Sequence, residues 1–153
     1  MRFAFVFALF VALVVFAAIG GEHRFRLRSY QWKQRLLLVF APSAHSASYL
    51  RQRAHYDLAG EGFRTRDLLF VSLIPGETQV VRRQKVDLAA QNELRRQFEI
   101  GPDDFAVLLV GKDGGIKLRS EHPVSPDELF PLIDSMPMRQ QELRKQSTAG
   151  ATP

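Results

Sequence analysis

The sequence predicts an α/β domain with the element order β-α-β-α-β-β-α behind an apolar leader. Three observations carry this. The runs Arg35 to Phe40, Asp67 to Ile74 and Phe105 to Val110 are almost wholly apolar, as strands covered on both faces must be. The stretches between them carry apolar residues at helical spacing, bounded by Pro, Gly and capping residues. The third run leads through Asp113-Gly114-Gly115 into an alternating segment, the pattern of a hairpin. A chain of 153 residues has room for one domain, and its 46% apolar and 24% charged composition is that of a globular one.

Residues Phe3 to Ile19 form an unbroken apolar run preceded only by Met1 and Arg2 and closed by small residues. This reads as a signal peptide, residues 1–20, with cleavage after Gly20. The alternative is an uncleaved inner-membrane anchor, since the run approaches the length of a membrane span. Arg24, Arg26, Arg28, Lys33 and Arg35 place more positive charge after the run than before it, which opposes sending the C-terminal side across the membrane. The short n-region and the small residues favour export, so the expected compartment is periplasmic or secreted.

In the domain itself, residues 21–145, His23 to Arg28 alternates polar and apolar and reads as an edge strand or extended lead-in. Its arginines guard an edge or, in a sharper reading, attract anionic lipid or glycan. Strand Arg35 to Phe40 ends at Pro42. Ser43 or Ser46 then caps a helix that buries Ala47, Leu50, Ala54 and Leu58 and stops at Gly60. Asp67 to Ile74 closes at Pro75-Gly76, with a short extended piece at Val80 and Val81. Asp87 caps a helix through Phe98 that turns Leu88, Leu94 and Phe98 inward. After the hairpin, Ser125-Pro126-Asp127-Glu128 spells a capping box, and Leu129, Leu132, Ile133 and Met136 share one face. Pro131 bends this helix and Pro137 restarts it. Residues 146–153 read as a flexible tail. Right-handed crossovers would make the first three strands parallel and the hairpin the last one antiparallel. This is the layout of a thioredoxin-like three-layer sandwich.

Composition excludes several chemistries. The chain has no cysteine, which removes disulfides, zinc-thiolate sites and any thiol nucleophile. The formal net charge of +5 is mild, and the basic residues are interspersed with acids, so no nucleic-acid partner is expected. The four histidines lack paired ligand spacing, and no metal or other cofactor is inferred.

Several segments together resemble a known family. Trp32 with Arg35-x-Leu-Leu-x-Phe-Ala-Pro, Arg66-Asp67-Leu68, the run Leu109 to Arg119 containing Gly-Lys-Asp-Gly, and Leu132 to Arg139 ending in Met-Pro-Met-Arg are similar to the domain-of-unknown-function family 4174. The resemblance spans Tyr30 to Glu142. It implies a thioredoxin-like fold related to peroxiredoxins and relatives in secreted animal matrix proteins; it implies no established activity. Peroxiredoxins place Pro-x-x-x-Thr-x-x-Cys at the first strand-to-helix junction. Counting from Pro42 puts Ser46 in the Thr position and Tyr49 in the Cys position, so thiol peroxidase and disulfide exchange are excluded on chemistry.

No catalytic residue is assigned. The candidate ligand-binding residues are Ser43, Ser46 and Tyr49 at the junction, where free N–H groups of a helix start bind anions, with Arg119 as an anion partner. The same serines serve equally as plain helix caps. Ser43, His45 and Asp57 lack the elbow of a hydrolase triad, and Gly111 to Gly115 leads to a strand, so it reads as a turn and not as a phosphate loop. Trp32 is expected to pack at the sheet end; exposed, it would mark a binding surface. The expected function is an exported non-redox module that binds a protein or an envelope polymer, with a membrane partner only if the leader stays. The alternative is a non-thiol enzyme, which needs a deep pocket joining Ser46, Tyr49 and Arg119.

Overall fold

The computed structural model describes residues 23–150, so the leader and the last three residues of the expected tail lie outside it. A four-stranded sheet forms the middle layer. Its strands are β2 (Arg35–Phe40), β3 (Leu68–Leu73), β6 (Ala106–Val110) and β7 (Ile116–Ser120), in the order β3-β2-β6-β7. A second sheet, ordered β1-β5-β4, joins β1 (His23–Arg24), β4 (Gln79–Val81) and β5 (Gln84–Val86). The helices are α1 (Ala47–Leu58), α2 (Gly60–Thr65), α3 (Leu88–Gln97), α4 (Pro126–Asp134) and α5 (Pro137–Ala149). No helix among the described residues is long and apolar enough to cross a membrane.

Alternation along β2 builds the two cores. Leu36, Leu38 and Phe40 point to one side, where they meet Phe25, Tyr30, Val86, Leu94 and Phe98. Leu37 and Val39 point to the other, with Tyr49, Phe63, Phe70, Leu129 and Ile133. Every residue of β2 is buried, which is why the run carries no polar alternation. The three layers anticipated from the sequence are therefore present.

One strand direction differs from expectation. β2 and β3 are parallel, but β6 runs antiparallel to β2, pairing Leu38 with Leu108 and Phe40 with Ala106. A parallel β6 would need a helix to carry the chain from the end of β3 back to the other end of the sheet. Here β4 and β5 form an antiparallel hairpin between β3 and α3. Arg95 of α3 contacts the carbonyls that follow β2 and end β3, and the chain enters β6 at that same end, where Ala106 pairs with Phe40. The sequence reading recognised Val80 and Val81 but not β5. The N-terminal lead-in also differs: only His23 and Arg24 are extended, and Leu27–Tyr30 forms a 3-10 turn.

The buried face of α1 is offset from the expected one. Leu50 and Leu58 are 53% and 88% exposed, and Ala47 and Ala54 face solvent with them. Tyr49 and Gln52 turn inward instead. Gln52 is fully buried because its amide matches both backbone groups of one residue: Nε2 donates to the Val124 carbonyl at 3.1 Å and Oε1 accepts from the Val124 N–H at 2.7 Å. α1 stops at Leu58, just before Gly60 as expected, and Gly60 opens a further short helix, α2. In α3, Asp87 caps as read, accepting from the Ala90 N–H at 2.8 Å, yet Leu88 is exposed and Gln91 and Arg95 are buried beside Leu94. The capping box at Ser125 and Glu128 is complete, α4 continues through Pro131, and Pro137 starts α5. That helix runs to Ala149, into the stretch read as a tail.

Gln52→Ala strands both polar groups of Val124 without water and is expected to lower stability by about 3 kcal/mol. Urea unfolding checks this as a lower midpoint at unchanged slope.

Candidate functional site

The strand-to-helix junction does not assemble the four residues singled out there. The Ser43 hydroxyl accepts from the His45 N–H at 3.1 Å, closing a local turn. Ser46 occupies the N-cap position of α1, but its side chain makes no capping bond, and its buried Oγ has no partner. Tyr49 is 7% exposed and pairs with the Ser72 hydroxyl at 3.0 Å. Arg119 sits on β7 opposite Leu108, on the face of the sheet away from Tyr49, and donates to the Phe98 carbonyl at 2.8 Å. The sheet therefore separates Arg119 from the junction. Arg119 lines a cavity of about 330 Å³ with Asp103, Asp104 and His122, and none of Ser43, Ser46 and Tyr49 reaches it.

The junction is sealed from below by a residue to which the sequence assigned no role. Arg95 of α3 donates to the carbonyls of Ala41, at 3.0 Å, and Leu73, at 3.1 Å, and also to that of Gly101. Its guanidinium lies 5.5 Å from the centre of the Phe40 ring. The carbonyl ends of the two parallel strands, where open α/β sheets receive ligands, are thus occupied by the protein's own cation. Burial pushes the Arg95 guanidinium below the ordinary arginine range, with Asp104 and Asp103 opposing the shift. The signal in the sequence was position: Gln91, Leu94, Arg95 and Phe98 share one helical face.

The opposite end of the sheet holds a denser polar group. Arg35, the first residue of β2, is 1% exposed and grips Glu142 of α5 with both terminal nitrogens, at 3.1 and 3.2 Å. Lys112, just past β6, reaches Glu142 and Asp67 at 2.7 Å each. Arg139 bridges Glu142 and Asp134, at 3.3 and 3.2 Å, and Arg66 clasps Asp134 at 3.0 and 2.5 Å. Burial alone would raise the Glu142 carboxyl, but the hydrogen bonds and charges of Arg35 and Lys112 outweigh it and hold it at about 2. Asp134 is likewise held below the usual carboxylate range against its burial, by Arg66 and Arg139. Four cations and three carboxylates satisfy one another here. Among the described residues no group of three or more His, Cys, Asp or Glu is placed to hold a metal ion.

Trp32 stands at this end. It is 64% exposed, so it does not pack against the sheet as expected. Its backbone adopts φ 66°, and its N–H donates to the Lys112 carbonyl at 2.6 Å.

These positions are also where the family likeness lies. A family model described as "Domain of unknown function (DUF4174)" matches residues 26–142. The chain belongs to this family. Segments of the DUF4174 domain that are distant in sequence supply the network: Arg35, Arg66 with Asp67, Lys112, and Asp134 with Arg139. The chain is 31% identical over 142 residues to Coiled-coil domain-containing protein 80 of Danio rerio, covering 81% of this chain and 16% of that protein. It is 32% identical over 114 residues to Sushi repeat-containing protein SRPX2 of Xenopus laevis, covering 72% and 25%. The chain thus spans a quarter or less of the length of these two relatives. Among solved structures, the reduced 2-Cys peroxiredoxin of Plasmodium vivax superposes with a TM-score of 0.55 at 14% identity, covering 76% of this chain and 84% of that one. Prx1a of Plasmodium yoelii gives 0.53 at 15%, covering 83% of each. The DUF4174 domain here therefore has the thioredoxin-like fold of peroxiredoxins, and the chain has no cysteine with which to run their chemistry.

The Glu142 carboxyl sits at about 2 in the fold against an ordinary 4.5. Its contribution is thus complete above pH 4.5 and is lost as pH falls toward 2, on the order of 2–3 kcal/mol. Urea unfolding of the wild type is expected to weaken over that window. Glu142→Gln is expected to be less stable at pH 6 and to show a flatter acid limb.

Proposed function

We propose that this chain is an exported, non-redox thioredoxin-fold module that binds a protein or an envelope polymer through a surface centred on Trp32. The observation that carries the reading is Trp32 itself. A large aromatic side chain 64% exposed, on a backbone held in the left-handed region, gains little for the fold and much for a partner. Export to a periplasmic or secreted location rests on the apolar run Phe3 to Ile19. The relatives in which this region is a small part of a longer protein, one of them named for sushi repeats, fit a domain used as a binding unit. The non-thiol enzyme is not carried forward, because the junction is filled by Tyr49 and closed by Arg95 and does not open onto Arg119.

In-cell crosslinking of the tagged protein, with mass spectrometry of the complexes and of its own N-terminus, tests this. The expected outcome is a mature chain starting near Gly21 and a dominant envelope partner that Trp32→Ala loses. An intact Met1 with cytoplasmic partners would overturn it.

A further inference from the structure

Resting on the binding-module reading, we infer that the partner is an acidic polysaccharide, held across Trp32 by a basic face that exists only in the folded chain. Two basic segments far apart in sequence, His23 to Lys33 and Arg82 to Lys85, are joined here. β1 pairs with β5 so that Arg24 lies beside Lys85. The Phe25 N–H donates to the Lys85 carbonyl at 3.0 Å, and the Arg26 N–H to the Gln84 side chain at 3.1 Å. The Tyr30 hydroxyl donates to the Val81 carbonyl at 2.7 Å. That tyrosine is pushed up to about 12 by burial, with Arg82 opposing, so the bond is kept throughout the neutral range.

The joined segments line two hollows, one reached by Gln31 and the other by Lys33, the chain neighbours of Trp32. On one side Arg24, Arg26, Arg28 and Gln31 line a cavity of about 700 Å³ that continues to Glu93 and Gln97 of α3 and to Asp113. On the other, Lys33 and Arg82 line a cavity of about 270 Å³ with Ser29, Gln34 and Gln84. Arg24 makes only a loose pair with Glu93, at 3.8 Å. Arg26, Arg28, Arg82 and Arg83 have no ion-pair partner among the described residues. Edge protection accounts for Arg24 alone, because Arg26 and Arg28 lie beyond β1, Arg28 within the 3-10 turn.

The β4–β5 turn strengthens the case. Val81 pairs with Gln84, so Arg82 and Arg83 are the two central residues of a two-residue hairpin loop, with φ 47° and 69°. Such a loop favours Asn-Gly; two arginines there sacrifice backbone ease for two exposed cations at the tip. The chemistry of the whole face selects the partner. Arginines answer carboxylate or sulfate groups, and Gln and Ser side chains answer hydroxyls. An exposed indole offers a platform for a sugar ring. A bilayer is flat and has no use for two polar hollows.

Trp32 is the single tryptophan, so its emission reports the face directly. Dextran sulfate and polygalacturonate are expected to shift that emission saturably, more weakly as salt rises, while neutral dextran of equal length does nothing. Arg82→Asn with Arg83→Gly, and Arg26→Gln with Arg28→Gln, are each expected to weaken binding about tenfold. The first pair should leave the thermal midpoint unchanged or higher, which a merely structural role for these arginines would not do. No response to the acidic polymers, an equal response to neutral dextran, or equal binding of phosphatidylglycerol vesicles or a single-stranded DNA oligonucleotide overturns the inference. If it fails while in-cell crosslinking still captures a Trp32-dependent protein, the binding-module reading stands. If no Trp32-dependent partner of any kind is found, both fall.

Discussion

Arg35 sets the terms for the rest of the molecule. It begins the central strand, buried to 1% exposure, and a guanidinium removed from water must be neutralised where it stands. Glu142 does so from the last helix, which ties α5 across the end of the sheet. Glu142 in turn draws in Lys112, and Arg139 links it to Asp134 and thence to Arg66. A buried ion pair of this kind adds little over a well-packed apolar substitute, because desolvation of both charges offsets most of their attraction. Its effect is on arrangement: with one partner absent, the other is left charged and dry. The segments quoted for the family resemblance therefore meet around one residue.

The two ends of the sheet are closed by the same device. Arg95 covers the carbonyl ends of β2 and β3, and Arg35 with its partners covers the other end. At the first end Tyr49 is bonded to Ser72, Arg95 fills the carbonyl ends of the strands, and the chain has no cysteine to place there. The fold by itself fixes no chemistry. Two of the remaining hollows lie on the flank, where the second sheet and the N-terminal lead-in meet.

The parts of this fold legible in the sequence were those whose cause is local. β2, β3 and β6 are buried on both faces and show it as unbroken apolar runs, and the capping box at Ser125 needs only its own four residues. The face of α1 was misread because the residues it buries, Tyr49 and Gln52, are polar at their tips and are satisfied by Ser72 and Val124 from distant segments. An apolar stripe at Ala47, Leu50, Ala54 and Leu58 was the stronger periodic signal and faces solvent. β5 was missed because Gln84-Lys85-Val86 has no strand composition and Arg82-Arg83 is no turn signature. At the candidate site, Arg35 alone in an apolar strand was a visible demand for a partner, but nothing in the spacing named Glu142. Trp32 was visible as a residue with two readings, and its exposure removes the one in which it packs at the sheet end.

Backbone strain separates the structural from the functional parts of this picture. Five non-glycine residues among those described adopt positive φ: Trp32, Asp67, Arg82, Arg83 and Glu99. Glu99 follows the end of α3, where left-handed residues are routine, and the Ile100 N–H returns to the Arg95 carbonyl at 2.9 Å. Asp67 is of a type that tolerates this region, and its carbonyl receives the Arg35 N–H at 2.8 Å. Each has a local reason. Trp32 follows the 3-10 turn Leu27–Tyr30, and Arg82 and Arg83 fill the β4–β5 hairpin loop, but none is of a residue type at ease in this region, and each such position costs on the order of 1–2 kcal/mol. For a domain whose whole stability is about 5–15 kcal/mol, three of them are a substantial burden. All three are on the flank that carries the exposed indole and the two basic hollows, so the strain falls where the proposed partner would gain from the side chains it presents.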